Sequence, residues 1–172
     1  MDNIRKSFSK IYDKYIDKIY RFIFLKVNSQ ETAEDLTSET FLKGWEAFKK
    51  SQNPHTNKIE NPSAFLYQIA RNLITDHYRE KGRAQFISIE NVKILDPENN
   101  IEEKTALNSD IDTIRAVLAN LKDDYQNVII WHYLDDLSIN EVAKVLGRTE
   151  EATRVLLHRA LKSLKNELFH LS

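Results

Sequence analysis

Arg154, His158, Arg159 and Lys162 follow one another at helical spacing, close behind a lone glycine, Gly147. Those side chains suit nucleic acid. Arginine can fork onto a guanine edge or a phosphate, while lysine offers a point charge to phosphate. The residues just before them supply a mount. Ser138-Ile-Asn-Glu141 has the form of a capping box, in which the serine accepts from a first-turn N–H and Glu141 reaches back. Val142, Ala143, Val145 and Leu146 continue a short helix that Gly147 stops. Thr149 can cap the next helix, with Glu150 and Glu151 in its positively polarised first turn. Two helices joined by a short glycine-containing turn make a helix-turn-helix. Ala143 is small where the two would cross, and Leu156 faces inward as the second helix's anchor. The alternative is an ordinary helical hairpin with a solvated basic face. On the first reading the DNA-contacting set is Ser138, Arg148, Thr149, Glu150, Arg154, His158, Arg159 and Lys162.

Bond-making chemistry finds little support. The five histidines, at 55, 77, 132, 158 and 170, show no metal-ligand spacing, and no glycine-rich phosphate loop occurs. The absence of cysteine excludes a disulfide framework and thiolate metal sites. The reading is therefore a protein that is not an enzyme and holds neither metal nor cofactor. No apolar run approaches the roughly 20 residues of a membrane helix, and MDNIRKSFSK lacks the apolar middle of a signal peptide. Both point to the cytoplasm, without membrane insertion.

The elements that must carry these residues are helical. At 172 residues, 41% hydrophobic and 30% charged, the chain can pack one domain or two small ones. Phe8, Ile11, Tyr12, Tyr15, Ile19, Phe22 and Ile23 repeat at steps of three and four, the apolar face of a long first helix. Ser29 is an N-cap for a second helix, which buries Leu36, Phe41, Trp45 and Phe48. Gly44 inside that helix costs roughly 1 kcal/mol relative to alanine, which a close helix contact would explain, though the sequence itself shows none. Asn53-Pro54 and Asn61-Pro62 mark a loop. A third helix then begins at about Pro62, buries Phe65, Leu66, Ile69, Ala70, Leu73, Ile74 and His77, and ends at Gly82.

Residues 84–109 read as an acidic linker, with Glu90, Asp96, Glu98, Glu102 and Glu103 against few bases. FISIENVKI within it alternates like a short strand that has no partner. Helical period returns from Asp110 with Ile114, Val117, Leu118 and Leu121, then Val128, Ile129 and Trp131. The fold expected is all-α: two small helical domains, 1–83 and 110–172, joined by that flexible linker. The net charge of −1 hides the contrast between the acidic middle and the basic end, which suggests surfaces for different partners.

Three segments in order, TAEDLTSETFLKGWEAF, NPSAFLYQIARNLITDHYREKGR and LSINEVAKVLGRTEEATRVLLHRALKSL, resemble the signature segments of sigma-70-type RNA polymerase sigma factors. The short layout resembles the extracytoplasmic-function (ECF) group. The resemblance covers nearly the whole chain except the linker.

It implies a transcription initiation factor that binds core RNA polymerase, at its clamp helices and flap, and directs it to promoter DNA. Its domains would be a region 2-like bundle and a region 4-like helix-turn-helix. Asp35, Leu36, Glu39, Thr40 and Lys43 would meet polymerase, with Leu36 and Trp45 equally suited to the core. Asn61, Ser63, Phe65, Arg71, Asn72, Thr75, Arg79, Lys81 and Arg83 would recognise and open the minus-ten element. Opening a duplex needs pockets for unstacked bases beside cationic phosphate contacts. Phe65 serves equally as a pocket wall or as core. The helix-turn-helix would read the minus-thirty-five element. There Ala152, Thr153 and Leu156 stand where many relatives carry threonine, valine and arginine, which leaves base preference open. An anti-sigma factor is the further partner the group suggests, and the linker acids could mimic nucleic acid or serve only as a tether. A stand-alone helix-turn-helix regulator with a sensing domain is the competing reading.

Overall fold

A computed structural model describes residues 2–27, 29–87 and 106–171, with side chains described for all of these except 83–87, 106–109 and 171. Among the described residues every regular element is helical: α1 (Asp2–Lys26), α2 (Gln30–Ser51), α3 (Pro62–Ile87), α4 (Ala106–Ala119), α5 (Asp123–Ile129), a π-helical turn (Ile130–Leu134), α6 (Ile139–Leu146) and α7 (Glu150–Leu171).

The first three helices form one bundle. Ser29 caps α2 as expected, its side chain accepting from the Thr32 N–H. A Cβ at Gly44 would sit 2.7 Å from a methyl of Leu66. The glycine therefore lets α2 and α3 approach more closely than any other residue would. Of the α1 stripe, Ile19, Phe22 and Ile23 are wholly buried, whereas Tyr12 stays part-exposed and packs edge-on against Phe41. Two boundaries differ from the sequence reading. α3 runs past Gly82 to Ile87, because that glycine is not left-handed and nothing forces a stop. α4 begins at Ala106 rather than Asp110. Glu90, Asp96, Glu98, Glu102, Glu103 and most of FISIENVKI lie outside the described residues.

The last four helices form a second set, and the two sets share a buried seam. Trp131 is fully buried between Phe22 of α1 and Tyr67 of α3, with ring centroids 5.4 and 6.0 Å away. The π-helical turn makes this contact. Its wider winding closes with the Asp135 N–H donating to the Ile130 carbonyl at 2.9 Å. Asp136 next adopts φ +59°, a left-handed conformation that aspartate tolerates, and the chain turns into α6.

Asp135 is wholly buried. Arg21 Nε donates to its Oδ1 at 2.8 Å and the Tyr67 hydroxyl to its Oδ2 at 2.8 Å. Burial raises its pKa above the ordinary value, more than those donors lower it. A second polar edge flanks the seam. The buried Lys26 ammonium meets Asp123 and Gln126, and Arg115 donates to the Phe24 carbonyl at 2.6 Å while stacking on its ring. Burial lowers the Lys26 pKa.

Candidate nucleic-acid interface

The helix-turn-helix forms through local chemistry. Ser138 Oγ accepts from the Glu141 N–H at 3.1 Å. The expected return contact takes another form: the serine hydroxyl donates to the Glu141 carboxylate at 3.4 Å. Gly147 lies at φ +66°, a left-handed C-cap. Thr149 Oγ1 accepts from the Ala152 N–H at 3.1 Å and opens α7. Ala143, Thr153 and Leu156 are buried where α6 and α7 meet, while Ala152 faces outward. The Thr153 hydroxyl donates to the Thr149 carbonyl at 2.8 Å, so a polar residue is accommodated inside that contact.

Arg154, His158, Arg159 and Lys162 are all exposed, and 154, 158 and 162 align along one face at intervals of four. Glu150 is held in place by two contacts. Asn140 Nδ2 donates to its Oε1 at 2.8 Å and Arg154 pairs with its Oε2 at 3.4 Å. Arg148, at the turn, pairs with Asp124 of α5 at 3.7 Å. Exposed pairs of this kind contribute little to stability and are easily exchanged for phosphate. Ser138 and Thr149 are exposed but occupied as caps.

The minus-ten candidates gather around the loop before α3 and along that helix. Asn61 Oδ1 accepts from the Ser63 hydroxyl at 2.7 Å and the Ala64 N–H at 3.0 Å, so Asn61 caps α3, and Ser63 is buried. Phe65 is half-buried. It lines a cavity of about 440 Å³ together with Asn57, Lys58, Ile59, Glu60, Asn61, Ala64, Gln68 and, from α6, Lys144. Asn72, Thr75, Arg79 and Lys81 are exposed on α3 and Arg71 half so, with Thr75 donating to the Arg71 carbonyl at 3.0 Å. Arg79 reaches Asp76 only at 3.9 Å, which leaves its guanidinium available. Arg83 lies on α3 with its side chain outside the described residues.

On α2, Asp35, Glu39 and Lys43 form one exposed polar strip, with Glu39 and Lys43 paired at 3.5 Å. Leu36 and Thr40 do not belong to that surface. Leu36 is 9% exposed, and Thr40 is wholly buried with its hydroxyl on the Leu36 carbonyl at 2.7 Å. Trp45 packs on Phe8 at 5.2 Å.

Sequence reasoning missed three residues. Leu42 stands 58% exposed beside the acidic strip, off the apolar period of α2, and that offset was the available signal. Gln68 and Lys144 enter the cavity from opposite halves of the chain, and no local pattern announces that meeting.

The sigma-70 region 2 family model matches residues 11–84 and the sigma-70 region 4 model residues 111–164. Over 165 residues the chain is 32% identical to the ECF RNA polymerase sigma factor BldN of Streptomyces coelicolor, spanning 92% of this chain but 59% of that protein. It is 29% identical to RNA polymerase sigma factor YlaC of Bacillus subtilis, over 95% of this chain and 93% of that one. In fold it is similar to CnrH, solved in complex with the cytosolic domain of CnrY (TM-score 0.70, 18% identity, 98% of this chain and 91% of that chain). It is likewise similar to the sigma factor RpoE of Bartonella quintana, solved with the anti-sigma factor NepR (TM-score 0.67, 21% identity, 95% and 97%). With both matched regions in order over the helices that carry the two basic faces, the chain belongs to the sigma-70 family, among the ECF RNA polymerase sigma factors.

Proposed function

We propose that this chain binds core RNA polymerase and directs it to specific promoters, and that it performs no bond chemistry of its own. The observation that carries this is the exposed basic face of α7, mounted on a capped helix-turn-helix within a sigma-70 region 4 match. α7 reads the minus-thirty-five element. Arg154, in the first turns after the Thr149 cap, enters the major groove deepest, with His158, Arg159 and Lys162 nearer the phosphates. Glu150 pairs with Arg154 until a base or phosphate replaces it. α3 and the cavity beside Phe65 recognise and open the minus-ten element, with Asn72, Thr75, Arg79 and Lys81 along the strand. Asp35, Glu39 and Lys43, with Leu42 as an apolar anchor, meet the polymerase clamp helices, while region 4 meets the flap.

Residues 1–83 and 110–172 act as the two working domains, and the protein operates in the cytoplasm, where its template is. That CnrH and RpoE were solved with CnrY and the anti-sigma factor NepR favours an anti-sigma protein as a further partner. The test is to mix the protein with core polymerase and follow complex formation and promoter-dependent transcripts. A stable complex that initiates at defined sites is expected. Sequence-specific DNA binding without any polymerase complex would favour a stand-alone regulator.

A further inference from the structure

Two α7 positions whose residue types left base preference open are out of a base's reach. Thr153 is wholly buried with its hydroxyl on the Thr149 carbonyl, and Leu156 is buried against α6. At the start of α7 the outward side offers Glu150 and, one turn on, Arg154, whose side chains are 42% and 60% exposed. The Glu150 carboxylate stands between two donors, Asn140 Nδ2 on its Oε1 at 2.8 Å and Arg154 on its Oε2 at 3.4 Å. Asn140 is an exposed residue in the first turn of α6, a helix that the Ser138 cap starts and Gly147 ends. It reaches Glu150 across the turn. The helix before α7 therefore helps to set where that carboxylate points.

Complementing the helix dipole needs no such partner, and the exposed Glu151 beside it supplies the same charge. What Asn140 adds is direction. An ionised carboxylate has about four lone-pair positions on its two oxygens, so each oxygen can still accept while both donors are in place. In a major groove the matching donor is the cytosine amino group, whereas the adenine amino group has the N7 acceptor beside it, which repels a carboxylate. Arg154 suits a guanine edge, which takes a guanidinium bidentately. Turning to that edge releases Glu150 Oε2 and leaves Asn140 as the donor that holds the carboxylate, close to phosphates that repel it. Glu150 and Arg154 are four residues apart, about 6 Å along the helix. That is less than two base-pair steps of about 3.4 Å, so the bases they meet are neighbours.

We propose that Asn140 is a positioning residue for promoter specificity: it orients Glu150 onto the amino group of a cytosine in the minus-thirty-five element, next to the base pair that Arg154 meets. The inference rests on the minus-thirty-five role proposed above for α7. Asn140 touches no base itself and acts through Glu150.

The test is transcription by the full-length protein with core polymerase from promoters randomised across the minus-thirty-five element, with the transcribed templates sequenced. Wild type should favour cytosine at one position. Glu150→Ala should remove that preference, a loss of roughly tenfold or more, and so mark the position. Asn140→Ala should weaken the preference at the same position about 3- to 10-fold and leave the other positions as they are. Asn140→Gln, which keeps an amide donor, should restore part of it. In the Glu150→Ala background, Asn140→Ala should change nothing further there, since the two residues act as one unit. Circular dichroism checks that each variant is folded. Should Asn140→Ala unfold, Asn140→Asp, which sets a like charge against Glu150, decides in its place. A folded Asn140 variant with the wild-type base profile overturns the proposal, as does a wild type with no cytosine preference that depends on Glu150. A uniform loss on all sequences overturns it too, making Asn140 a phosphate contact. An equal effect with and without Glu150 does the same, making it a base contact in its own right. If no transcript depends on the protein, the promoter-directing function falls. Enrichment of the same duplexes by the full-length chain without polymerase then decides on Asn140 by the same criteria.

Discussion

The corner at Gly147 and the seam at Asp135 lie twelve residues apart and are built in opposite ways. The caps and the turn that shape the corner are near neighbours in sequence: Ser138 caps α6, Gly147 takes the left-handed turn, Thr149 caps α7. Everything that makes the seam is distant. Arg21 and Tyr67 reach Asp135 across separations of 114 and 68 residues. The corner is therefore stable wherever region 4 goes, whereas the seam exists only while the two halves are together.

The contrast can be broken most directly at Trp131. Trp131→Ala empties a fully buried site between Phe22 and Tyr67 and should cost about 3–5 kcal/mol in urea unfolding. The loss should be shared by both halves, since both contribute to the pocket. If the halves instead melt independently with region 2 unaffected, the seam contributes nothing to the free protein.

A smaller effect separates the residues on the basic face of α7. Arg154→Ala should change which upstream sequences are preferred in transcription with polymerase, by about 1–3 kcal/mol of discrimination. Lys162→Ala should lower activity on all promoters alike and flatten the salt dependence. Equal behaviour of the two variants would mean that Arg154 meets phosphate and not a base. Smaller again is Ser138→Ala, which removes one cap and should cost about 1 kcal/mol. That loss should be the same in the free protein and in the polymerase complex, since the cap is local.

The smallest effect is one of pH. Burial raises the Asp135 pKa above its ordinary 3.8, so the folded chain holds that proton more tightly than the unfolded chain. Between the ordinary value and the raised one the unfolded state ionises first and binds fewer protons. This group's contribution is thus fully present below the ordinary value and is lost as pH rises through the raised one. Asp135→Asn should remove that component of the slope. Unfolding titrations from the carboxylate range to neutrality, on wild type and variant, measure the difference, and parallel curves would place Asp135 in a more solvated setting.

Most of the candidate site was legible because its causes are local. Capping serines, a left-handed glycine and basic residues at intervals of four leave marks within a dozen residues, and Arg154, His158, Arg159 and Lys162 are exposed as the pattern requires. Periodicity was a poorer guide to side-chain role on α2 and α3. Leu36, Thr40 and Ser63 are buried despite sitting in surface motifs, and Leu42 is exposed despite being leucine. The end of α3 was misplaced because a glycine stops a helix only where the backbone turns left-handed, and Gly82 does not.

By itself, then, the sequence determined the helices, the glycine corner and the basic face of α7, all of which follow from backbone preference and short-range spacing, whereas the close α2–α3 approach at Gly44 needed the fold. Only the tertiary structure decided that Tyr67 would be a donor at a seam, that Asp135 in an unremarkable Leu-Asp-Asp-Leu run would be wholly enclosed, and that Gln68 would close the end of α6. The physical reason is that a buried hydrogen bond between distant residues leaves no periodic trace. Each partner looks like an ordinary polar residue until folding removes the water around it.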